Sequence, residues 1–215
     1  MRDAARYRGM TMAAVLSGGA ASRFGSDKTQ EMLDGQSLLD RTIAFAGTQA
    51  ASVVIADGGQ GHALPDGLTR LVDADFGAGP ARGLCAALAH AAGLKTPPRY
   101  LLTLPCDVPF YPHDLAGRLI GAVVHDPQMP ALAVSGSRLH PAIAVWPVAR
   151  ASAIIARVKA GENALHALLG PAQERGEVRF SGPVIDGIEI DPFFNVNTPE
   201  ELEIAREVLQ ALAEG

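Results

Sequence analysis

A glycine-rich, basic segment near the start of the chain has the residue types of a phosphate-binding loop. Gly18 and Gly19 let the backbone turn sharply and approach a ligand closely, and Arg23 and Lys28 add positive charge. The apolar residues 12–16 before them are typical of a buried strand. Many α/β proteins bind nucleotides where such a strand runs into such a loop. The segment therefore predicts a ligand that carries phosphate.

The segment does not match the two commonest glycine motifs. A Walker A loop has its lysine directly after the last glycine, whereas Lys28 stands three residues after Gly25. A dinucleotide fingerprint needs Gly-x-Gly-x-x-Gly, which this loop does not supply.

Asp107 is the second candidate for chemistry, because it directly follows an apolar run that ends in Pro105-Cys106. Ligands of open α/β sheets lie at such strand ends, and a single carboxylate there suits Mg²⁺, which also takes phosphates and water. The alternative is that Asp107 only caps the next turn. Asp73 likewise follows a short apolar run and precedes a glycine-rich turn.

Other polar residues have both a functional and an ordinary interpretation. Asn195 and Asn197 would face the same way on a strand, where their amides could ligate Mg²⁺ or orient phosphate, or they could simply form a turn. Arg82 opposes a helix dipole, which a bound anion would help to explain. Arg138 and His140 precede a predicted strand and could equally be surface residues.

The elements that must position these residues alternate between apolar runs and helical patterns. This alternation predicts an α/β fold with a mostly parallel sheet covered on both faces. Residues 175–190 alternate weakly and indicate an antiparallel or edge element. The predicted strands are 13–16, 52–56, 69–72, 100–104, 131–134 and 142–146, and the predicted helices are 37–50, 80–92, 112–124, 147–160, 163–169 and 198–212.

Size and composition narrow the function classes. The 215 residues suit a single domain over 12–215, with 1–11 as a disordered extension. The net charge of −5 disfavours nucleic acid as a partner. No apolar run reaches the roughly 18 residues of a membrane span. Cys85 and Cys106 form neither a C-x-x-C pair nor a metal spacing, so we expect a cytoplasmic protein.

Taken together, the motifs resemble those of the molybdenum cofactor guanylyltransferases. The likeness extends over roughly residues 13–212. The segments that carry it are Leu16-Ser17-Gly18-Gly19, Arg23-Phe24-Gly25, Asp27-Lys28, Pro105-Cys106-Asp107-Val108-Pro109-Phe110, Arg138-Leu139-His140-Pro141 and the run from Phe194 to Leu202.

The resemblance implies a three-layer, Rossmann-like sheet of the nucleotide-diphospho-sugar transferase type. It also implies Mg²⁺-dependent transfer of GMP from GTP to the phosphate of molybdopterin or molybdenum cofactor. The implied catalytic residues are Asp107, Lys28 and Arg23; the nucleotide-binding residues are Leu16, Ser17, Gly18, Gly19, Lys28, Asp73 and Asp107; the metal ligands are Asp107 and Asn197; and the acceptor-binding residues are Arg82, Arg138, His140 and Asn195.

The resemblance leaves some points open. Relatives often carry a nucleotide-binding asparagine where this chain has Asp57, and Gln30-Glu31 replace residues that are usually apolar. The Gly18-Gly19 pair favours guanine, yet a molybdopterin cytidylyltransferase, a sugar-phosphate nucleotidyltransferase or a non-catalytic nucleotide-binding module stay as alternatives. Proteins that insert molybdenum, and chaperones of target enzymes, are the expected protein partners.

Overall fold

A seven-stranded sheet forms the centre of the computed structural model, which describes residues 7–17, 28–58, 64 and 67–214. In chain order the strands are β1 (Thr11–Leu16), β2 (Met32–Leu33), β3 (Gln36–Ser37), β4 (Ser52–Ala56), β5 (Thr69–Leu71), β6 (Tyr100–Pro105), β7 (Ala131–Ser135), β8 (Arg138–Pro147), β9 (Gly176–Arg179), β10 (Val184–Ile185) and β11 (Ile188–Glu189). The helices are α1 (Leu38–Gln49), α2 (Pro80–Gly93), α3 (Leu115–Val123), α4 (Ala151–Lys159), α5 (Leu165–Leu168) and α6 (Pro199–Glu214).

The strand order in this sheet is β5-β4-β1-β6-β8-β7-β9. All neighbours pair in parallel except around β8, which is antiparallel to both β6 and β7. The predicted mostly parallel sheet is therefore confirmed. Six of the seven strands end at the same side of the sheet, which we call the carboxyl edge.

Helices cover both faces of the sheet. Successive side chains of β1 therefore point into two different cores. Ala13 and Val15 pack in a cluster with residues of α1 and α3. Ala14 and Leu16 pack on the opposite face with residues of α2 and α4. The period-2 alternation of a strand buried on both sides thus produces the predicted three-layer arrangement.

Two predicted helix starts are wrong. Pro112 and Pro147 were expected in first turns, but α3 begins at Leu115 and Pro147 pairs with Tyr100 at the end of β8. Gln49 Oε1 accepts a hydrogen bond from the Ala116 N–H at 3.1 Å, so an orphan donor of the first turn of α3 is satisfied there. Pro80, by contrast, lies in the first turn of α2 as predicted.

The start of the chain also departs from expectation, because residues 7–11 are part of the fold. Tyr7 is buried, and its carbonyl accepts from Thr11 Oγ1 at 2.8 Å. The Met10 carbonyl accepts from the backbone N–H groups of Arg99 and Tyr100 at 2.9 and 3.1 Å. The expected disordered extension is therefore wrong for residues 7–11, while residues 1–6 lie outside the described part.

The second half of the sheet contains elements that the apolar pattern underestimated. β8 begins at Arg138 instead of residue 142, so Arg138 and His140 belong to the strand. The weakly alternating stretch 175–190 contains the parallel edge strand β9 and the β10–β11 hairpin. No helix in the described part of the chain is both long and apolar enough to cross a membrane.

Candidate active site

Backbone hydrogen bonds join the ends of three central strands at the carboxyl edge. The Ser17 N–H donates to the Ala56 carbonyl of β4 at 2.9 Å, and the Cys106 N–H donates to the Leu16 carbonyl at 3.2 Å. The end of β1 is thus held between the ends of β4 and β6. Leu16, Ser17 and Asp107 are brought to the same stretch of the edge, as the predicted site requires.

The glycine-rich loop itself lies outside the described residues. This applies to Gly18, Gly19 and Arg23, whose predicted roles stay predictions. Lys28 begins the short 3₁₀ helix Lys28–Gln30, which leads into the β2–β3 hairpin.

A backbone contact joins Asp107 to the asparagine pair. The Asp107 carbonyl accepts from the Val196 N–H at 2.8 Å, so Asn195 and Asn197 flank the point of contact. Val196 is fully buried, whereas both asparagines are half-buried. Residues 194–197 have irregular backbone instead of the strand on which the two asparagines would face the same way, and Val196 between them is the buried residue.

Glu201 fixes the backbone at Asn197. Its Oε2 accepts from the Asn197 N–H at 2.6 Å, and its own N–H donates to Thr198 Oγ1 at 3.2 Å. Thr198 Oγ1 therefore caps the start of α6. In a standard capping box the Glu201 carboxylate would accept from the N–H of the N-cap residue, Thr198. Here it accepts from the Asn197 N–H instead and so holds a candidate metal ligand in place.

The donor set at this point fits Mg²⁺. Asp107 offers a carboxylate and Asn197 an amide oxygen, both hard donors. Within the described residues, no cluster of three or more His, Cys, Asp or Glu side chains could hold a metal ion. A site with few protein ligands suits Mg²⁺, which takes its other ligands from phosphates and water.

Asp73 lies near the end of β5, and one of its oxygens lacks a partner. Its Oδ1 is buried and has no hydrogen-bond partner among the described residues. Burial raises the pKa of Asp73, and the negative charge of Asp57 adds to this, whereas Arg82 and the Gly58 N–H act in the opposite direction. Gly83 allows this close packing, because a Cβ there would lie 3.4 Å from Asp73 Oδ1 and 3.1 Å from the Ala56 Cβ.

Arg82 has partners inside the protein. Its Nε donates to the Ala74 carbonyl at 2.7 Å, and its charge lowers the pKa of Asp73. A bound anion is therefore not needed to explain a cation at the start of α2. Its contact with an acceptor stays a prediction.

The predicted acceptor residues of β8 differ in exposure. Arg138 is exposed, whereas His140 is buried, with its Nε2 2.7 Å from Ser135 Oγ and its ring 4.8 Å from that of Phe193. Burial lowers the pKa of His140, so the ring is neutral near pH 7. The structure gives His140 an internal hydrogen bond, and its contact with an acceptor stays a prediction.

Asp57, which stands where relatives often carry asparagine, is fully buried and forms an ion pair. Its Oδ2 lies 3.2 Å from Arg70 Nε on β5. The strand register explains the pair. Arg70 lies opposite Ile55, and Ile55 precedes Asp57 by two residues. Sequence reasoning missed Arg70, since a three-residue strand gives no sign of its register.

Sequence reasoning also missed Asn163, which follows α4. Its Oδ1 accepts from the Ala78 N–H at 2.8 Å, in the segment between Asp73 and α2. The two residues are 85 positions apart, and no motif connects them.

A cavity of about 610 Å³ opens on the α1 side of the sheet, beyond Asp107. None of the predicted site residues that the structure describes lines it. Its walls include Arg41, Phe45, Phe110, Tyr111 and Arg118.

Comparison with known proteins identifies the family of the chain. The family model of the MobA-like NTP transferase domain matches residues 13–176. The chain is 36% identical over 214 residues to the molybdenum cofactor guanylyltransferase of Sinorhizobium fredii, covering 99% of this chain and 98% of that protein. It is 38% identical over 200 residues to the protein of the same name from Acidiphilium cryptum, covering 90% of this chain and 92% of that one.

Two solved structures share the fold at lower identity. Molybdopterin-guanine dinucleotide biosynthesis protein A from Archaeoglobus fulgidus superposes with a TM-score of 0.66 at 19% identity, covering 93% of this chain and 98% of the other. The 2-C-methyl-D-erythritol 4-phosphate cytidylyltransferase from Thermus thermophilus gives 0.64 at 18% identity, with coverage of 94% and 100%. These likenesses support the nucleotide-diphospho-sugar transferase fold.

Proposed function

The chain belongs to the MobA-like NTP transferase family, and from this premise we propose that it is a molybdenum cofactor guanylyltransferase. It transfers GMP from GTP to the phosphate of molybdopterin or molybdenum cofactor and releases pyrophosphate. The structural observation that carries the proposal is the hydrogen bond from the Val196 N–H to the Asp107 carbonyl at 2.8 Å. It brings the backbone between Asn195 and Asn197 against Asp107, which follows β6 beside the end of β1.

The reaction does not need a protein base. The acceptor is a phosphomonoester with a second pKa of about 6, so its oxygens are nucleophilic at neutral pH. One of them attacks the α-phosphorus of GTP, a new P–O bond forms, and the bond to the β-phosphate breaks as pyrophosphate leaves. The protein must therefore align the two phosphates and neutralise their charge.

Asp107 and Asn197 are the residues that would hold Mg²⁺. When bound, the ion would neutralise charge on the phosphates and on the leaving pyrophosphate. Glu201 supports this role by holding the Asn197 backbone, through the 2.6 Å hydrogen bond to its N–H.

The glycine-rich loop would hold the triphosphate. In this proposal Lys28, Arg23 and the amides of Gly18 and Gly19 bind the β- and γ-phosphates, while Leu16, Ser17 and Asp73 contact the nucleoside.

Lys28→Ala should weaken GTP binding, and unchanged affinity by calorimetry would argue against a role for this lysine. Arg82, Arg138, His140 and Asn195 remain the candidates on the acceptor side.

The setting of the reaction is part of the same proposal. We expect it in the cytoplasm, with proteins that insert molybdenum and chaperones of target enzymes as partners. Cys85 and Cys106, both buried thiols, are consistent with a reducing compartment.

A turnover assay with each nucleotide tests the proposal. The purified chain is incubated with Mg²⁺, molybdopterin and GTP, CTP or ATP, and the dinucleotide product and pyrophosphate are quantified. We expect both products with GTP, little with CTP or ATP, and none after chelation of the metal. Faster turnover with CTP would assign the chain to cytidylyl transfer, and no turnover with any nucleotide would contradict catalysis.

A further inference from the structure

The segment 74–79 joins Asp73 to the start of α2, and several contacts fix it. Near Asp73, Arg82 Nε donates to the Ala74 carbonyl at 2.7 Å. Near α2, the segment contains Gly77 and Gly79, both with positive φ, of 82° and 56°. A backbone with two glycines has many alternative conformations, so it needs outside contacts to hold one shape.

Those contacts come from α4 and the turn after it. Asn163 Oδ1 accepts from the Ala78 N–H at 2.8 Å. Gly77 lies against the same element, since a Cβ there would be 2.6 Å from Val158 Cγ1 and 3.1 Å from Asn163 Oδ1. The Lys159 ammonium lies 4.9 Å from the centre of the Phe76 ring, within the range of a cation–π contact.

The Asn163 amide is itself held in one orientation. Its Nδ2 donates to the Gly161 carbonyl at 3.0 Å, which leaves the amide oxygen to face Ala78. Arg157 stiffens the turn by binding both Glu162 oxygens, at 2.7 and 2.9 Å, and by donating to the Leu168 carbonyl at 3.0 Å. The turn is therefore a firm support for a segment that is weakly constrained by itself.

We propose that Asn163 is a positioning residue for the nucleotide site, acting through segment 74–79 on Asp73 and the start of α2. This inference rests on the proposed function, because it assumes that Asp73 contacts the nucleotide. The amide oxygen holds the Ala78 N–H so that Asp73 meets GTP in one fixed geometry. Asn163 does not touch the substrate.

The chain offers a matched control on the opposite face of the sheet. Like Asn163, Gln49 has a side-chain amide that accepts from one backbone N–H and donates to one backbone carbonyl. Its Oε1 accepts from the Ala116 N–H at 3.1 Å, and its Nε2 donates to the His113 carbonyl at 2.9 Å. These two hydrogen bonds fix the start of α3 and do not involve segment 74–79. Gln49→Ala thus removes a comparable pair of hydrogen bonds away from Asp73.

The test measures KM for GTP, kcat and the melting temperature for the wild type, Asn163→Ala, Asn163→Asp and Gln49→Ala. Asn163→Ala should raise KM for GTP about 5-fold, the scale of one neutral hydrogen bond, and change kcat less than 2-fold. Asn163→Asp keeps an acceptor for the Ala78 N–H but loses the Nδ2 donor to the Gly161 carbonyl, so it should raise KM less than Asn163→Ala does. Gln49→Ala should lower the melting temperature and leave KM unchanged.

The outcomes separate this inference from the proposed function. An unchanged KM in Asn163→Ala, in a wild type that does turn over GTP, would overturn the positioning role alone. An equal rise in KM in Gln49→Ala would also overturn it, because general loosening would then suffice. A wild type without any GTP turnover would contradict the proposed function instead.

Discussion

Two buried serines at the carboxyl edge have opposite surroundings. Ser17 follows β1 and Ser135 ends β7, and their exposed fractions are similar, at 5% and 7%. Ser135 Oγ lies 2.7 Å from His140 Nε2, whereas Ser17 Oγ has no hydrogen-bond partner within the described part of the chain. An unpartnered buried polar group costs about 1–3 kcal/mol.

A similar contrast holds between the part of the sheet around β7 and β8 and the part around β1 and β5. Around β7 and β8, buried Ser135 pairs with His140, and Arg179 of β9 donates to the Gly136 carbonyl at 2.6 Å. Around β1 and β5, Ser17 Oγ and Asp73 Oδ1 are buried without a hydrogen-bond partner from the residues that the structure describes. We interpret the paired groups as structural. We interpret the unpaired groups as ligand-binding groups whose burial lowers the stability of the protein without ligand.

Asp107→Ala should have the largest effect. Loss of a key electrostatic stabiliser of the transition state should lower kcat by about 100-fold or more. The hydrogen bond to Val196 should remain in the variant, since it uses the Asp107 backbone carbonyl. Steady-state kinetics with GTP measures the effect, and near-normal turnover would remove Asp107 from the mechanism.

Asp73→Asn should separate binding from stability. We expect GTP affinity by calorimetry to fall about 10-fold, the scale of a lost charge-assisted hydrogen bond. Burial raises the pKa of Asp73 above its usual 3.8, so ionisation costs stability as the pH rises through the folded-state pKa. The variant should therefore be at least as stable as wild type at pH 7. A clear loss of stability would show that Asp73 is structural.

Ser17→Ala and Ser135→Ala should differ in their effect on the free energy of unfolding. Ser135→Ala leaves buried His140 without its partner and should lower the free energy of unfolding by about 1–3 kcal/mol. Ser17→Ala removes a hydroxyl that gains no hydrogen bond from the described residues, and it should leave that free energy unchanged or raise it. Chemical denaturation without nucleotide measures both, and equal losses would break the comparison.

The pH dependence of stability should reveal His140 with a smaller effect. Its pKa is lowered from 6.5 by burial, so below about pH 6.5 the unfolded chain takes up this proton before the folded chain does. Wild type should therefore lose stability between about pH 7.5 and about pH 5.5. His140→Gln should lose less over the same interval, and an identical pH dependence would mean that the imidazole is not buried as described.

The predictable part of the fold consists of elements with strong local signals. β4 appears at residues 52–56 as predicted, because an apolar β-branched run is bounded by polar residues. The β2–β3 hairpin was missed, since two-residue strands with Gln36 and Ser37 carry no such pattern. In the site, Asp107 could be identified because it directly follows its strand. Arg70 and Asn163 could not, because their roles depend on strand register and on contacts between distant segments.

The most direct test of the account follows the α-phosphate of GTP. GTP labelled at that phosphorus is incubated with the chain, Mg²⁺ and molybdopterin, and the products are separated. We predict that the label appears in a pterin–guanine dinucleotide, with one pyrophosphate released for each label transferred. Label found only in free GMP, or remaining in GTP, would contradict transfer to a phosphate acceptor.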